Sequence, residues 1–430
     1  MNRAIGFARA FLFCALVPAL LSAEVRIEVD ELPGDRWRIT YLDLEAAESF
    51  RFAHETFYPR AESWEVGSEA ACSLTVEEGR ETLDCPQGLP SSLSFELPTD
   101  TRIRQKGYPL HVAFSDGGRL FYSGHLALQG VAPTTLCFRA LEGRLVILRG
   151  KTGPEVCWEA DAVAAEDGLF VFFGASEPEA TEALALIADR GLPVWLRDRT
   201  VKILPRLFDH FRERFGLSLP WTPTVLLSWS EKPSSGRTFA GSTLDAQLQV
   251  HLEGVGWQEP DAQAFEGILF HLAHEAAHLW NGQLARLRFD PAEEWLKEGG
   301  ADFLAGQALA DLGLLSAMRW QQREDDAERE CRELLGDRSL ATPLDNRGVD
   351  YRALYACGLH FAALIDSEAG AAAGGGVGFT ALTGRVLSGA LGEDGAYESW
   401  DYFAALQAVA GAGAGRQAHR LLTVGFENEN

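Results

Sequence analysis

His274-Glu275-Ala276-Ala277-His278 places two imidazoles four residues apart, with a carboxylate directly after the first. On a helix, positions i and i+4 lie one turn apart on the same face, so the two rings can grip one metal ion. Glu275 sits beside them, placed to take a proton from a water rather than to bind the metal. Twenty residues after His278, Glu298 stands in Trp295-Leu296-Lys297-Glu298-Gly299 and offers a third ligand. Two His and a Glu leave a fourth position open, which is the donor set of one catalytic zinc ion, Zn2+, and not of a closed structural site. The chemistry such a set performs is hydrolysis.

Positioning these groups needs two helices. Phe265, Ile268, Leu269, Leu272 and Leu279 recur at helical spacing and predict a helix over 265–287. Asp290-Pro291-Ala292-Glu293 reads as the start of a second helix, with Asp290 at the N-cap. That helix carries Glu298 and, one turn on, Asp302. Folded back antiparallel, it brings Glu298 to the two histidines. His271, one turn before His274, reads as a neighbouring or core residue rather than a ligand.

The segment from His274 to Gln283 resembles the active-site helix of the gluzincin peptidases, the M1 aminopeptidase family above all, whose pattern is His-Glu-x-x-His-x-Trp-x-Gly-Asn. Trp295-Leu296-Lys297-Glu298-Gly299 is similar to that family's Trp-Leu-x-Glu-Gly, and Tyr355-Ala356-Cys357-Gly358 to its Tyr-x-x-Gly. The resemblance covers about residues 180 to 370 and implies an aminopeptidase-like zinc metallopeptidase. It also implies that Asp302 orients the first histidine and that Tyr355 stabilises the transition state; Tyr351, one turn earlier, competes for the latter role. The gap from His278 to Glu298 is one residue longer than is usual in the family. The family's Gly-x-Met-Glu-Asn segment, whose Glu holds the substrate amine, does not occur. The M61 glycyl aminopeptidases are the second choice of relative.

The region that replaces that segment, Gly241 to Glu253, alternates Leu244, Leu248, Val250 and Leu252 against Asp245, Gln247, Gln249, His251 and Glu253. This predicts one half-buried edge strand, able to pair with an extended peptide, with Gln247, Gln249 and His251 on its open face. Upstream, short alternating runs at Val25–Val29 and Ser94–Leu97, and Val112–Phe114 and Leu120–Tyr122 about Asp116-Gly117-Gly118, predict a β-sandwich. A helix is expected over 195–215, ending at Gly216 and kinked or divided at Pro205, then a central strand at 224–229. From about 310 the pattern is helical, with the Gly/Ala-rich stretches 368–378 and 409–415 read as connections. The expected architecture is multi-domain: a signal peptide at 1–23, a β-sandwich-rich N-terminal region at 24–175, an α+β zincin-type catalytic domain at 176–310, and a helical C-terminal region at 311–430 that contributes Tyr355.

At 430 residues, 47% of them hydrophobic, the chain can bury two or three cores. A net charge of −24 argues against nucleic-acid and anionic-membrane partners and leaves a peptide or protein substrate. Arg3 and Arg9 before the apolar run Phe11–Leu21 read as an export signal, after whose removal no stable membrane insertion is expected. Cys14 falls inside that run. The six remaining cysteines pair by sequence proximity as Cys72–Cys85, Cys137–Cys157 and Cys331–Cys357, as suits a periplasmic or secreted protein. The reading is a zinc peptidase, aminopeptidase first and endopeptidase second. Its competitors are a hydrolase of a non-peptide bond and a scaffold with a retained zinc site.

Overall fold

The computed structural model describes residues 25–44, 50–54, 59–67, 71–77, 80–102, 104, 108–129, 134–232, 236–288, 293–336, 338–340, 351–373 and 377–426. The expected signal segment, Cys14 and the expected N-cap at Asp290 lie outside them.

Two large sheets, with a small hairpin of Ser73–Glu77 and Arg80–Asp84, build the first half. The six-stranded one runs, edge to edge, Glu155–Ala160, Thr134–Arg139, Val25–Leu32, Arg36–Leu42, Ser92–Pro98, Glu65–Val66. The five-stranded one runs Lys151–Gly153, Leu145–Leu148, Phe170–Gly174, Arg119–Tyr122, His111–Ala113. Alternation along Val25–Leu32 turns Val25, Ile27 and Val29 inward, where they meet Phe121, Val146 and Phe172 of the other sheet in a single apolar core. The Asp116-Gly117-Gly118 turn joins His111–Ala113 to Arg119–Tyr122 as expected, with Gly117 at φ 87°. Cys72–Cys85 and Cys137–Cys157 are bridged here, the latter between directly paired strand residues.

The second half begins with a five-stranded sheet in the order Glu179–Ala180, Ala185–Ala188, Thr224–Ser230, Gln247–Glu253, Thr238–Leu244. Its three middle strands are parallel and the Thr238–Leu244 edge is antiparallel. The single strand expected over 241–253 is therefore a hairpin. Its turn, Asp245-Ala246, carries no glycine, and Ala246 takes φ 57° instead. The inner strand Gln247–Glu253 is covered on both faces, so the polar side chains expected to be open are buried: Gln247 is 1% exposed and His251 8%. Each has a partner. Gln247 grips both the N–H and the carbonyl of Phe170, at 2.6 and 2.8 Å, across the boundary with the first half. His251 Nδ1 lies 2.8 Å from Ser228 Oγ.

Helices pack on this sheet and continue to the C-terminal end of the described chain. Val194–Phe215 is one unbroken helix through Pro205, closed by Gly216 in the left-handed region. Glu294–Asp311, Ala317–Leu335, Arg352–Ala373, Phe379–Leu391, Ser399–Ala410 and Arg416–Thr423 follow, and one apolar cluster runs from Leu184 to Leu422. Two expectations fail here. Glu368 to Ala373 is helical, because an alanine-dominated stretch keeps a high helix propensity. The histidine helix ends at His278, nine residues short of Leu287, and passes into a π-helical turn, Leu279–Leu284. Cys331–Cys357 ties Ala317–Leu335 to Arg352–Ala373. Among the described residues no helix is long and apolar enough to cross a membrane.

Candidate metal centre

The histidine helix, Ala262–His278, starts where Asp261 accepts a hydrogen bond from the Ala264 N–H. Ile268, Leu269, Leu272, Ala273 and Ala276 fix one face in the core. His274, Glu275 and His278 are each less than a tenth exposed, at the end of that helix beside the edge strand and the glutamate helix, Glu294–Asp311.

The glutamate helix crosses the tyrosine helix, Arg352–Ala373, at a pair of glycines. A Cβ on Gly358 would run into the Trp295 carbonyl, and one on Gly299 into the Gly358 Cα. The glycines that follow Glu298 and Tyr355 thus allow the close crossing that sets the tyrosine against the candidate metal ligands. Trp280 and Trp295 pack into the core around these helices.

The three expected ligands converge. His274 Nε2 and His278 Nε2 lie 3.0 Å apart, and Glu298 Oε2 lies 3.4 and 3.5 Å from them. Ligands at ordinary zinc bond lengths in a tetrahedron stand about 3.3 Å apart, so the donor set fits a single zinc ion. The outer nitrogens support this. Asp302 Oδ1 accepts from His274 Nδ1 at 2.8 Å, and Asn281 Oδ1 from His278 Nδ1 at 3.0 Å, which directs both Nε2 lone pairs inward. Asn281 is itself fixed by donating to the Lys297 carbonyl and by accepting at its own carbonyl from the Tyr397 hydroxyl. The cluster favours positive charge. Burial acts against a charged His274, yet Asp302 and Glu298 raise its pKa to about 10. Glu298, burial notwithstanding, is held far below the carboxylate range by the two histidines. Removing the Asp302 carboxylate frees the His274 ring to turn. Asp302→Ala is expected to weaken zinc binding by about 10- to 100-fold with the fold intact, measured by competition with a chromophoric chelator.

Glu275 stands beside the trio. Its Oε2 accepts from Thr243 Oγ1 at 2.7 Å, and His271 Nδ1 is 3.8 Å from its Oε1. Tyr355, 39% exposed, has its ring 5.8 Å from that of His274. Burial, then the Glu298 carboxylate, pushes its hydroxyl above the ordinary phenol range, so it is a donor at neutral pH. Tyr351 is 74% exposed.

Beside Thr243 and Lys297 opens a cleft of about 650 Å³ between the two halves, lined also by Tyr108, Tyr122, Asp167 and Gly282. Tyr108, from the first half, bonds Ser242 on the edge strand and feels the charges of Glu275 and Glu298. Sequence reasoning missed Asn281, Thr243 and Tyr108. Asn281 stands in the quoted motif three residues after His278, a spacing that reaches back over one turn. No local signal marks the other two.

No family model matches the chain, and no curated protein matches it. Solved structures do. An aminopeptidase N family protein from Idiomarina loihiensis superposes with a TM-score of 0.63 at 12% identity, covering 92% of this chain and 78% of that one. An M1 zinc metallopeptidase from Deinococcus radiodurans gives 0.52 at 13%, with 95% of each chain covered. Yeast LTA4 hydrolase gives 0.53 at 12%, covering 95% of this chain and 68% of its own. The chain has an M1 aminopeptidase-like fold. At such identities the likeness concerns the fold, and the chemistry has to be argued from the site.

Proposed function

We propose that the chain is an exported zinc-dependent peptidase that hydrolyses peptide bonds, as an aminopeptidase in the first place. The observation that carries this is the convergence of His274, His278 and Glu298 with both histidine Nδ1 atoms already engaged. A bound zinc ion supplies Lewis acidity and a water acidified to near neutral pH. Glu275, beside the three candidate ligands, would take a proton from the attacking water and return it to the departing amine. Tyr355 donates its hydroxyl to the carbonyl oxygen as negative charge grows there. The cleft between the halves admits the peptide, and the edge strand Thr238–Leu244 offers backbone for an extended chain to pair with. The same reading assigns residues 1–23 to export and 24–175, 176–310 and 311–430 to the β-rich, catalytic and helical regions. The three disulfides accord with an oxidising compartment.

One observation favours endopeptidase action as the second reading. The edge strand Thr238–Leu244 bears no carboxylate to hold a free amine, and Asp245 beyond it is paired with Arg149. Mass-spectrometric mapping of a mixed peptide library, with and without a chelator, decides between them. Loss of single N-terminal residues establishes the aminopeptidase, internal cuts the endopeptidase, and the absence of chelator-sensitive cleavage rejects both. Tyr355→Phe is expected to lower kcat by about 100-fold, the worth of one preorganised donor, with KM little changed. Exposed Tyr351 should tolerate the same change, and the reverse pattern in steady-state kinetics would reassign the role.

A further inference from the structure

Glu275 has to present one carboxylate oxygen to a water with near-ångström accuracy, and its own side chain does not fix that oxygen. The last torsion of a glutamate is broad and roughly two-fold, so a carboxylate held by nothing samples many orientations. The structure supplies a restraint from outside the helix. Thr243 Oγ1 lies 2.6 Å from the Glu275 carbonyl and 2.7 Å from its Oε2, so one hydroxyl spans the backbone and the carboxylate of the same residue. The helix opens there: the Leu279 N–H turns to the carbonyls of Ala276 and Ala277, not to that of Glu275. Oε1 has no hydrogen-bond partner among the described residues, since His271 Nδ1 at 3.8 Å is beyond bonding range.

Thr243 is itself firmly placed. It pairs with Leu248 in the hairpin, two residues before the Asp245-Ala246 turn. Gly241 on the same strand lies so near the histidine helix that an added Cβ would meet His271 Nε2 at 2.8 Å. The adjacent Ser242, whose side chain leaves the opposite face of the strand, is bonded to Tyr108 of the first half. The hydroxyl that reaches Glu275 is therefore carried by a strand braced from both sides.

We propose that Thr243 is a positioning residue for the general base, holding the Glu275 carboxylate by Oε2 and leaving Oε1 as the oxygen that takes and returns the proton. The role rests on the peptidase reading above. A misplacement of about 1 Å at such a group costs up to about 100-fold in rate.

Thr243→Val keeps the shape and removes the hydroxyl; Thr243→Ser keeps the hydroxyl. The expected result for the zinc-loaded valine variant is a kcat lowered about 10- to 100-fold with KM unchanged, and most of the loss restored by serine. Zinc affinity, read by chelator competition, and affinity for an uncleaved peptide, read in a Glu275→Gln background, should both stay within about twofold of their parents. The deciding arm is the double variant: with Glu275 already replaced, Thr243→Val should cost no further activity. A merely structural threonine would lower activity equally in both backgrounds and would move zinc affinity as well. Normal turnover by Thr243→Val in an active parent overturns this role alone. A parent without chelator-sensitive cleavage overturns the peptidase reading and this role together.

Discussion

Glu275→Gln is expected to keep a full complement of zinc and to lose turnover by about a thousandfold. The amide has the size of the carboxylate and can still meet Thr243 Oγ1, 2.7 Å from the present Oε2, so the packing of a residue only 7% exposed should survive. It cannot accept the proton of a water or return one to a leaving amine. Glu275 also lies outside the ligand trio, whose donor atoms come from His274, His278 and Glu298. Metal content by atomic emission, with kcat from a single peptide, tests the two halves of the statement separately. Loss of zinc would make Glu275 a ligand, and near-normal turnover would remove it from proton transfer.

His278→Ala should have the other large effect, and of a different kind. Zinc held by four protein ligands is bound by about 10–16 kcal/mol, about 2.5–4 kcal/mol per ligand, so losing one of three weakens binding by about a hundredfold or more. The substitution also leaves Asn281 Oδ1 without its donor. The variant should emerge from dialysis without zinc and show no chelator-sensitive cleavage, while circular dichroism retains the helical signal, because the apolar faces of the two helices pack independently of the metal. A His278→Ala protein that keeps one zinc per chain after dialysis would refute the ligand assignment.

The difference between these two variants reflects what was legible in the sequence. His274, Glu275 and His278 could be read because helical periodicity places them on one turn, and Glu298 because its motif resembles that of a known family; the three-dimensional arrangement brings the ligand atoms of His274, His278 and Glu298 together. The hairpin at 238–253 could not. Its turn has no glycine or asparagine, Ala246 takes a positive φ unaided, and the alternation of Gln247, Gln249 and His251 imitated an exposed face where these side chains are buried. Alternation reports which residues share a side of a strand; it does not report whether a second layer covers that side. Thr243 and Tyr108 escaped for a related reason: each acts on a residue far away in the chain, Thr243 on Glu275 and Tyr108 on Ser242. The stretch from Glu368 misled in the opposite sense, since small residues without an amphipathic pattern were read as a connection where helix packing accepts them.

The clasp of Gln247 on the Phe170 backbone has a further consequence. The apolar core of the first half also takes in Ile187, Leu226 and Leu244 from the second, so the join between the halves is dry on one side and hydrogen-bonded through its middle. Such a join behaves as interior, not as a hinge. The walls of the cleft, contributed by both halves, are therefore set against each other by the same packing that closes the core. A second half cut loose near residue 175 would lose one wall of that cleft along with the cover over Ile187, Leu226 and Leu244.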